Sequence, residues 1–288
     1  METSKKLRVY TNATAIVTGG ASGIGRAIAE ELAKRGSNVV LADIQIELAQ
    51  DVAAGIRAAG GKAEAVKLDV TDYPAVEKVV RDVVMRTGRL DYIFNNAGII
   101  INGGVHQFKI DDWDYMINVN IKSVIFGIHA AYPIMLMQGF GHIVNTSSIA
   151  GLIPDPGEVA YAMTKHAIVG LSKSLRAEVA HMGVRVSVLC PGVIRTPMAE
   201  CGGKFGKSYS NISPELSRLL LEKARPMSPD LFAKKVLDAV ARNRAIIIEP
   251  AWWRLLWMIQ RFLPEYSITL AQKNFKRTLI KLGIWPKG

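Results

Sequence analysis

Cysteine is nearly missing from this chain, with only Cys190 and Cys201 among 288 residues. That scarcity excludes a disulfide framework and points to a reducing compartment. Neither thiol sits where a nucleophile is made: Cys190 follows an apolar strand and precedes Pro191, while Cys201 lies in a polar glycine-rich loop with no evident base beside it. In the stretch after residue 250 no uncharged run approaches about 18 residues, so no segment there is expected to span a bilayer. The stretch Met1 to Lys6 has no apolar core behind its charges, which argues against a signal peptide and for a cytoplasmic protein. The histidines at positions 106, 129, 142, 166 and 181 lack ligand spacing such as HxxxH, so no metal is expected. Acid is also short, with 25 Asp and Glu against 36 Lys and Arg, for a formal net charge of +11. The basic residues follow no nucleic-acid reader pattern, and the tryptophans near the end are spaced for a helix face rather than for stacking on bases, so nucleic acid is not the expected partner.

What is present is a single sizeable α/β core: 49% of the residues are hydrophobic, and no low-complexity linker divides the chain. Apolar, β-branched runs at 15–18, 39–43, 63–69, 92–95, 142–146, 185–189 and 245–249 alternate with helical patterns. This predicts a doubly wound parallel sheet with its ligand crevice at the carboxyl ends of the strands. The first run leads into Gly19-Gly20-Ala21-Ser22-Gly23-Ile24-Gly25, and Ile24, Ala27, Ile28, Leu32 and Ala33 then repeat at helical steps. A strand-to-helix turn of that kind lets the backbone approach a pyrophosphate, with the first free N–H groups of the helix aimed at the anion.

The second run ends in Asp43, about twenty residues after the turn, where a dinucleotide fold places its ribose-binding carboxylate. Asp43 can accept from both ribose hydroxyls and would repel a 2′-phosphate, which favours NAD over NADP; no Arg or Lys lies within the turn, and Ile44-Gln45 supplies no cation. Further on, Tyr161-Ala162-Met163-Thr164-Lys165 follows Ser148. A tyrosine with a reference pKa of about 10 is a poor base at neutral pH. A lysine one helical turn on presents an ammonium on the same face and favours the phenolate.

With these motifs together, the chain resembles the short-chain dehydrogenases/reductases over roughly residues 10 to 250, in their single-domain branch with a Rossmann-type sheet of about seven strands and helices on both faces. The matching residues are Thr18-Gly19-x-x-x-Gly23-x-Gly25, Asp69-Val70, Asn95-Asn96-Ala97-Gly98, Asn120, Asn145-Thr146-Ser147-Ser148, the Tyr161/Lys165 pair and Pro191-Gly192-Val193-Ile194-Arg195-Thr196. The resemblance implies a catalytic set of Asn120, Ser148, Tyr161 and Lys165. It further implies a cofactor cradle of Gly19, Ser22, Gly23, Ile24, Gly25, Asp43, Asp69, Val70, Asn96, Ala97, Gly98, Pro191, Gly192, Val193, Ile194 and Thr196, with Tyr161 and Lys165 reaching the cofactor as well. By the same resemblance Tyr161 exchanges the hydroxyl proton, Ser148 holds the substrate oxygen, Lys165 lowers the phenol and bonds the nicotinamide ribose, and Asn120 links Lys165 through water to solvent. A homo-oligomer, dimer or tetramer, is implied through the long helices before and at Tyr161. The expected reaction is NAD-dependent interconversion of a secondary alcohol and a ketone by direct hydride transfer, with oxidation as its direction in the cell. The alternatives are an NADPH-dependent ketone reductase and a non-catalytic dinucleotide-binding protein.

Substrate choice is expected from 152–159, 98–106 and the stretch 198–228, whose Gly202, Gly203 and Gly206 have the composition of a mobile flap. Met198, Phe205, Leu219, Leu220 and Met227, with Leu152 and Ile153, suggest a greasy pocket for a steroid-like or fatty alcohol. Residues 1–250 are thus taken as the dinucleotide-binding and catalytic domain, and 251–288 as a basic, amphipathic helical extension. In it Trp252 to Leu263 reads as a short apolar helix ended by Pro264, and Ile268, Ala271, Phe275, Leu279 and Leu282 as a second stripe. The extension carries seven cations, Lys287 included, against Glu265 alone. Trp252, Trp253 and Trp257 with a basic edge fit peripheral contact with an anionic membrane, while packing over the crevice or against a second subunit is the other reading.

Overall fold

The computed structural model describes residues 6–201, 205–209 and 213–281; Gly202, Gly203, Leu282 and Lys287 lie outside these, as does the start of the chain. In the described chain the strands are β1 (Thr14–Thr18), β2 (Asn38–Asp43), β3 (Lys62–Lys67), β4 (Tyr92–Asn95), β5 (Ile101–Asn102), β6 (Gly141–Thr146), β7 (Val184–Pro191), β8 (Lys207–Ser208) and β9 (Ile246–Glu249). Seven form one parallel sheet in the order β3-β2-β1-β4-β6-β7-β9. The order reverses between β1 and β4, which places the switch-point crevice just beyond Thr18 and Asn95.

Alternation along the strands sorts the core into two layers. Ala15, Val17, Val39, Leu41, Tyr92 and Phe94 face α1 (Gly23–Lys34), α2 (Ile46–Ala58) and, later in the chain, residues Phe232, Val236 and Leu237. Ile16, Val40, Ile93 and Ile143 point the other way, toward α3 (Tyr73–Thr87) and its Val76, Val80 and Val83. Burial of each such aliphatic or aromatic side chain contributes roughly 1.5–3 kcal/mol. The helices start and stop where local chemistry dictates. The Asp72 carboxylate accepts from the Ala75 N–H at the head of α3, and Gly88, at φ 72°, closes its tail in the left-handed region.

Next come α4 (Ile110–Met116), a π-helical turn at Ile117–Lys122 and α5 (Ser123–Gln138). One window within Ile110–Gln138 is long and apolar enough to cross a membrane by composition, but Met116, Val124, Ala130, Ala131 and Met135 of this segment are buried in the core. The chain continues through α6 (Val159–Val179), α7 (Pro197–Cys201), α8 (Pro214–Lys223) and α9 (Pro229–Ala241). The stretch expected as a flap therefore holds two helices, and β8 within it pairs in parallel with β5. That short ladder between loops was not foreseen, because two-residue strands leave no periodicity to read. The Ser213 and Ser228 hydroxyls accept from Leu216 and Leu231 N–H groups at the heads of α8 and α9.

The extension forms α10 (Trp253–Phe262) and α11 (Pro264–Lys281). Pro264 does more than stop the first helix: it opens the second, as its fixed φ and missing N–H allow at a first turn.

Candidate active site

A cleft of about 1380 Å³ lies at the carboxyl ends of the strands. Its cofactor end is built by the glycine turn. Gly25 is packed so closely on the Gly19 carbonyl that no Cβ fits there, and Gly19 and Gly23 adopt φ of 65° and 53°, which favour glycine. Ser22, at the head of α1, makes no side-chain capping bond, so the first N–H groups of the helix remain for an anion in the cleft. The Asn96 side chain donates to the Thr18 carbonyl at 3.1 Å, and Thr18 Oγ1 accepts from the Asn96 and Ala97 N–H groups, which ties the end of β4 to the turn.

Asp43 is buried at the end of β2. Its Oδ2 accepts from the Ala21 N–H and its Oδ1 from the Gln45 N–H, both at 2.9 Å. Each oxygen retains a second lone pair, so the carboxylate is fixed in place without being used up. Asp69 lies on the rim and accepts from both the N–H and the hydroxyl of Thr71. The cleft lining includes Gly19, Ser22, Gly23, Ile24, Asp43, Asp69, Val70, Asn96, Ala97, Gly98, Ser148, Tyr161, Lys165, Pro191, Gly192, Val193, Ile194 and Thr196. Gly25 and Asn120 stand behind that wall. These residues fit a dinucleotide: a bare helix terminus for the pyrophosphate, with a fixed carboxylate for a ribose at one end.

At the other end, Tyr161 and Lys165 are buried on one face of α6, and the ammonium lies 5.4 Å from the centre of the tyrosine ring. Lys165 Nζ donates to the Thr146 carbonyl at 3.1 Å, and burial lowers its pKa to about 8. Ser148 is hydrogen-bonded to Tyr161, and its hydroxyl also accepts from the Ala150 N–H at 3.1 Å. Burial foremost, then the negative charge of Glu158 and to a lesser extent that of Asp155, push the Tyr161 hydroxyl well above its ordinary value, and the hydrogen bond with Ser148 is what opposes them.

Asn120 occupies the π-helical turn, a local widening of the helix often found at functional sites. Its side chain accepts from the Ile99 N–H at 2.8 Å and donates to the Ile99 carbonyl at 3.0 Å and to Thr164 Oγ1 at 3.1 Å. That side chain is thus a strut between the turn after β4 and α6. Gly98 separates it from Lys165: a Cβ there would stand 3.2 Å from Asn120 Oδ1 and 3.4 Å from Lys165 Nζ.

The short chain dehydrogenase family model matches residues 13–203. The chain belongs to the short-chain dehydrogenase family. It is 42% identical over 218 residues to oxidoreductase UcpA of Salmonella typhimurium, an alignment covering 75% of this chain and 81% of that one. It is 41% identical over 184 residues to 2,5-dichloro-2,5-cyclohexadiene-1,4-diol dehydrogenase LinX of Sphingobium indicum, covering 64% and 74%. A short chain dehydrogenase/reductase of Burkholderia phymatum, solved in complex with NAD, superposes with a TM-score of 0.80 at 28% identity over 90% of this chain and 96% of that chain. As a short-chain dehydrogenase the protein is an oxidoreductase that binds a nicotinamide dinucleotide.

Several residues of this site escaped the sequence reading. Ser147, rather than Ser148 alone, secures the catalytic helix, donating to the Lys165 carbonyl at 2.7 Å, and Gly151 has no room for a Cβ against that bond. Asp155 and Glu158 line the cleft beside Tyr161. Burial and the charge of Asp155 push Glu158 well above the usual carboxylate range. The available signal was spacing: Glu158, at the cap position before α6, precedes Tyr161 by three residues. Trp253, Phe275, Thr278 and Leu279 of the extension also line the cleft, so its packing over the crevice is observed. Trp253 and Trp257 are partly buried against Ile149, Leu152, Val188 and Ile248, while Trp252 is exposed. Of the histidines, His142 is a core residue whose pKa burial lowers to about 3, with its Nε2 2.9 Å from the Ser187 hydroxyl.

Proposed function

We propose that this short-chain dehydrogenase oxidises a lipophilic secondary alcohol to its ketone with NAD, the reverse reduction using the same groups. The observation that carries this reading is the hydrogen-bonded Ser148–Tyr161 pair beside the buried Lys165 ammonium, in the same cleft that Asp43 closes at its cofactor end. When bound, the nicotinamide ring supplies a hydride acceptor facing the substrate carbon. Ser148 holds the substrate oxygen and Tyr161 removes its proton. Lys165 supplies the positive charge that a phenolate needs against the neighbouring carboxyls, and also bonds the nicotinamide ribose. Asn120 keeps α6 and the turn after β4 in register, so that these groups meet one oxygen.

Asp43 favours NAD, because a 2′-phosphate would meet a carboxylate already fixed by two N–H groups. The NAD complex of the Burkholderia phymatum structure and the diol dehydrogenase name of the Sphingobium indicum relative support the cofactor and the direction. The apolar wall of Ile99, Ile100, Met198, Leu220, Leu221 and Phe275 supports a lipophilic substrate. An NADPH-linked reductase would need a cation where Asp43 stands, and a non-catalytic binding protein would have no need of the Ser148, Tyr161 and Lys165 set. A homo-oligomer is supported by α5, which is apolar on every side and leaves Ile125, Leu136 and Met137 exposed. The cytoplasm is our reading of its location, from the scarcity of cysteine. Initial rates with NAD and NADP over alcohols from short and polar to long-chain and sterol-like test the proposal. Turnover confined to NADP, or to small polar alcohols, would contradict it.

A further inference from the structure

We infer that the α10–α11 hairpin is two-sided, with an inner face that roofs the cleft and an outer face that docks on an anionic lipid surface. The inner side is visible in its contacts. The Trp253 indole fills the space over Gly192, and the Phe275 ring lies 3.4 Å from where a Cβ on Gly157 would stand. The outer side is exposed, apart from the stacking of Trp252 on Trp253. Trp252, Leu255, Met258 and Phe262 follow one another at steps of three and four residues and form a stripe on α10, with Leu255 66% and Phe262 68% exposed. Exposed Leu263 and Tyr266 continue it into α11. Neither α10 nor α11 contains a fully buried residue, so the hairpin is a surface layer rather than part of the core.

Charge decides what the stripe meets. Residues 251–281 hold Arg254, Arg261, Lys273, Lys276, Arg277 and Lys281 against one carboxylate, Glu265. By helical spacing Arg261 borders the α10 stripe, whereas Arg254 is paired with Glu249 at 3.0 Å; Lys273, Arg277 and Ile280 share a face of α11 with Tyr266. A second copy of this chain across a two-fold axis would set these cations against themselves, which a self-complementary interface disfavours. An anionic headgroup layer answers them, with each near-surface cation contributing about 1 kcal/mol. Trp252 and Tyr266, each exposed, are the aromatic types that settle at a headgroup boundary. With ten residues, α10 is about 15 Å long, which suits a helix lying in the interface and cannot cross one.

Because the same hairpin forms the roof, a docked protein presents the cleft mouth to the bilayer, and a lipophilic alcohol can enter without crossing water. This last step rests on the proposed function, whereas the docking does not.

Flotation of the full chain with phosphatidylcholine vesicles, with and without phosphatidylglycerol, separates the two. The protein is expected to float with the anionic vesicles, at least about tenfold more at low than at high salt. Leu255→Glu/Phe262→Glu is expected to remove flotation, and Lys273→Glu/Arg277→Glu to reduce it about tenfold, since two cations become two anions. Neither pair lines the cleft or is buried in the core, so the circular-dichroism spectrum and thermal unfolding remain unchanged in both and report intact folding. Absence of flotation for the wild-type chain overturns the inference, as does equal flotation with and without phosphatidylglycerol. A loss of oligomer mass by light scattering in Leu255→Glu/Phe262→Glu, with no wild-type flotation, assigns the face to a second copy instead. Flotation needs no turnover, so a failed substrate panel leaves this test standing.

Discussion

The two ends of the sheet treat buried charge in opposite ways. At the amino ends, Arg89 and Asp91 are almost fully buried, and every bonding direction is met: Arg89 Nε donates to Asp91 Oδ2 at 2.7 Å, and the carboxylate also accepts from the Arg8 and Thr14 N–H groups at 3.0 and 2.9 Å. At the carboxyl ends, Lys165 has a carbonyl for a partner in place of a carboxylate, while burial pushes the Asp155 and Glu158 carboxyls and the Tyr161 phenol beside them above their ordinary values. One end pairs charges to hold the chain together. The other keeps them a few ångströms apart, poised to move a proton. The contrast separates residues whose loss should cost stability from those whose loss should cost rate.

The largest expected effect breaks the carboxyl end. Tyr161→Phe is expected to lower kcat by at least about a hundredfold, the usual contribution of a general base, while NAD binding followed by fluorescence persists. Substantial turnover in that variant would remove the assigned base. Lys165→Met is expected to lower kcat by a similar factor and also to raise the NAD dissociation constant; unchanged NAD affinity would contradict its ribose role. At the amino end, Asp91→Ala leaves the Arg89 guanidinium buried without its carboxylate, for which about 3–5 kcal/mol of stability should be lost in chemical denaturation. Its kcat per folded molecule should not change, and a rate defect there would blur the division between the two ends. Asp43→Ala should shift the ratio of kcat/KM for NADP over NAD upward by about tenfold or more, as a like-charge contact is removed.

The smallest change sharpens the comparison. Asp155→Asn/Glu158→Gln removes the negative charge that raises the Tyr161 phenol. Oxidation requires the phenolate and so rises with pH through the phenol's pKa; lowering that pKa should move this rising limb to lower pH and raise the neutral-pH rate by less than about tenfold. An unmoved pH profile would mean that the carboxyl pair acts on the substrate rather than on the base.

Sequence patterns carried some of these features further than others. The seven strands of the main sheet were legible because burial on both faces favours near-continuous apolar runs, as at 186–189 within β7. The cofactor wall was legible because a pyrophosphate needs glycines at set positions, and Gly19, Gly23 and Gly25 occupy them. Asp155 and Glu158 were not, since two acids in an irregular loop look like solvated surface until folding places them against Tyr161. The clamp from Ser147 to Lys165 was hidden for the same reason: it joins residues eighteen apart through a carbonyl that no side-chain pattern reveals. The extension was half-readable. Its helices and its basic charge were plain, but which tryptophans faced inward depended on the void above Gly192, a property of the fold.

The most direct test of the central claim is the appearance of reduced nicotinamide when purified protein meets NAD and lipophilic secondary alcohols, with Tyr161→Phe as the blank. The account predicts turnover with NAD that the variant lacks. Turnover with NADP alone, or equal rates in wild type and variant, would contradict it.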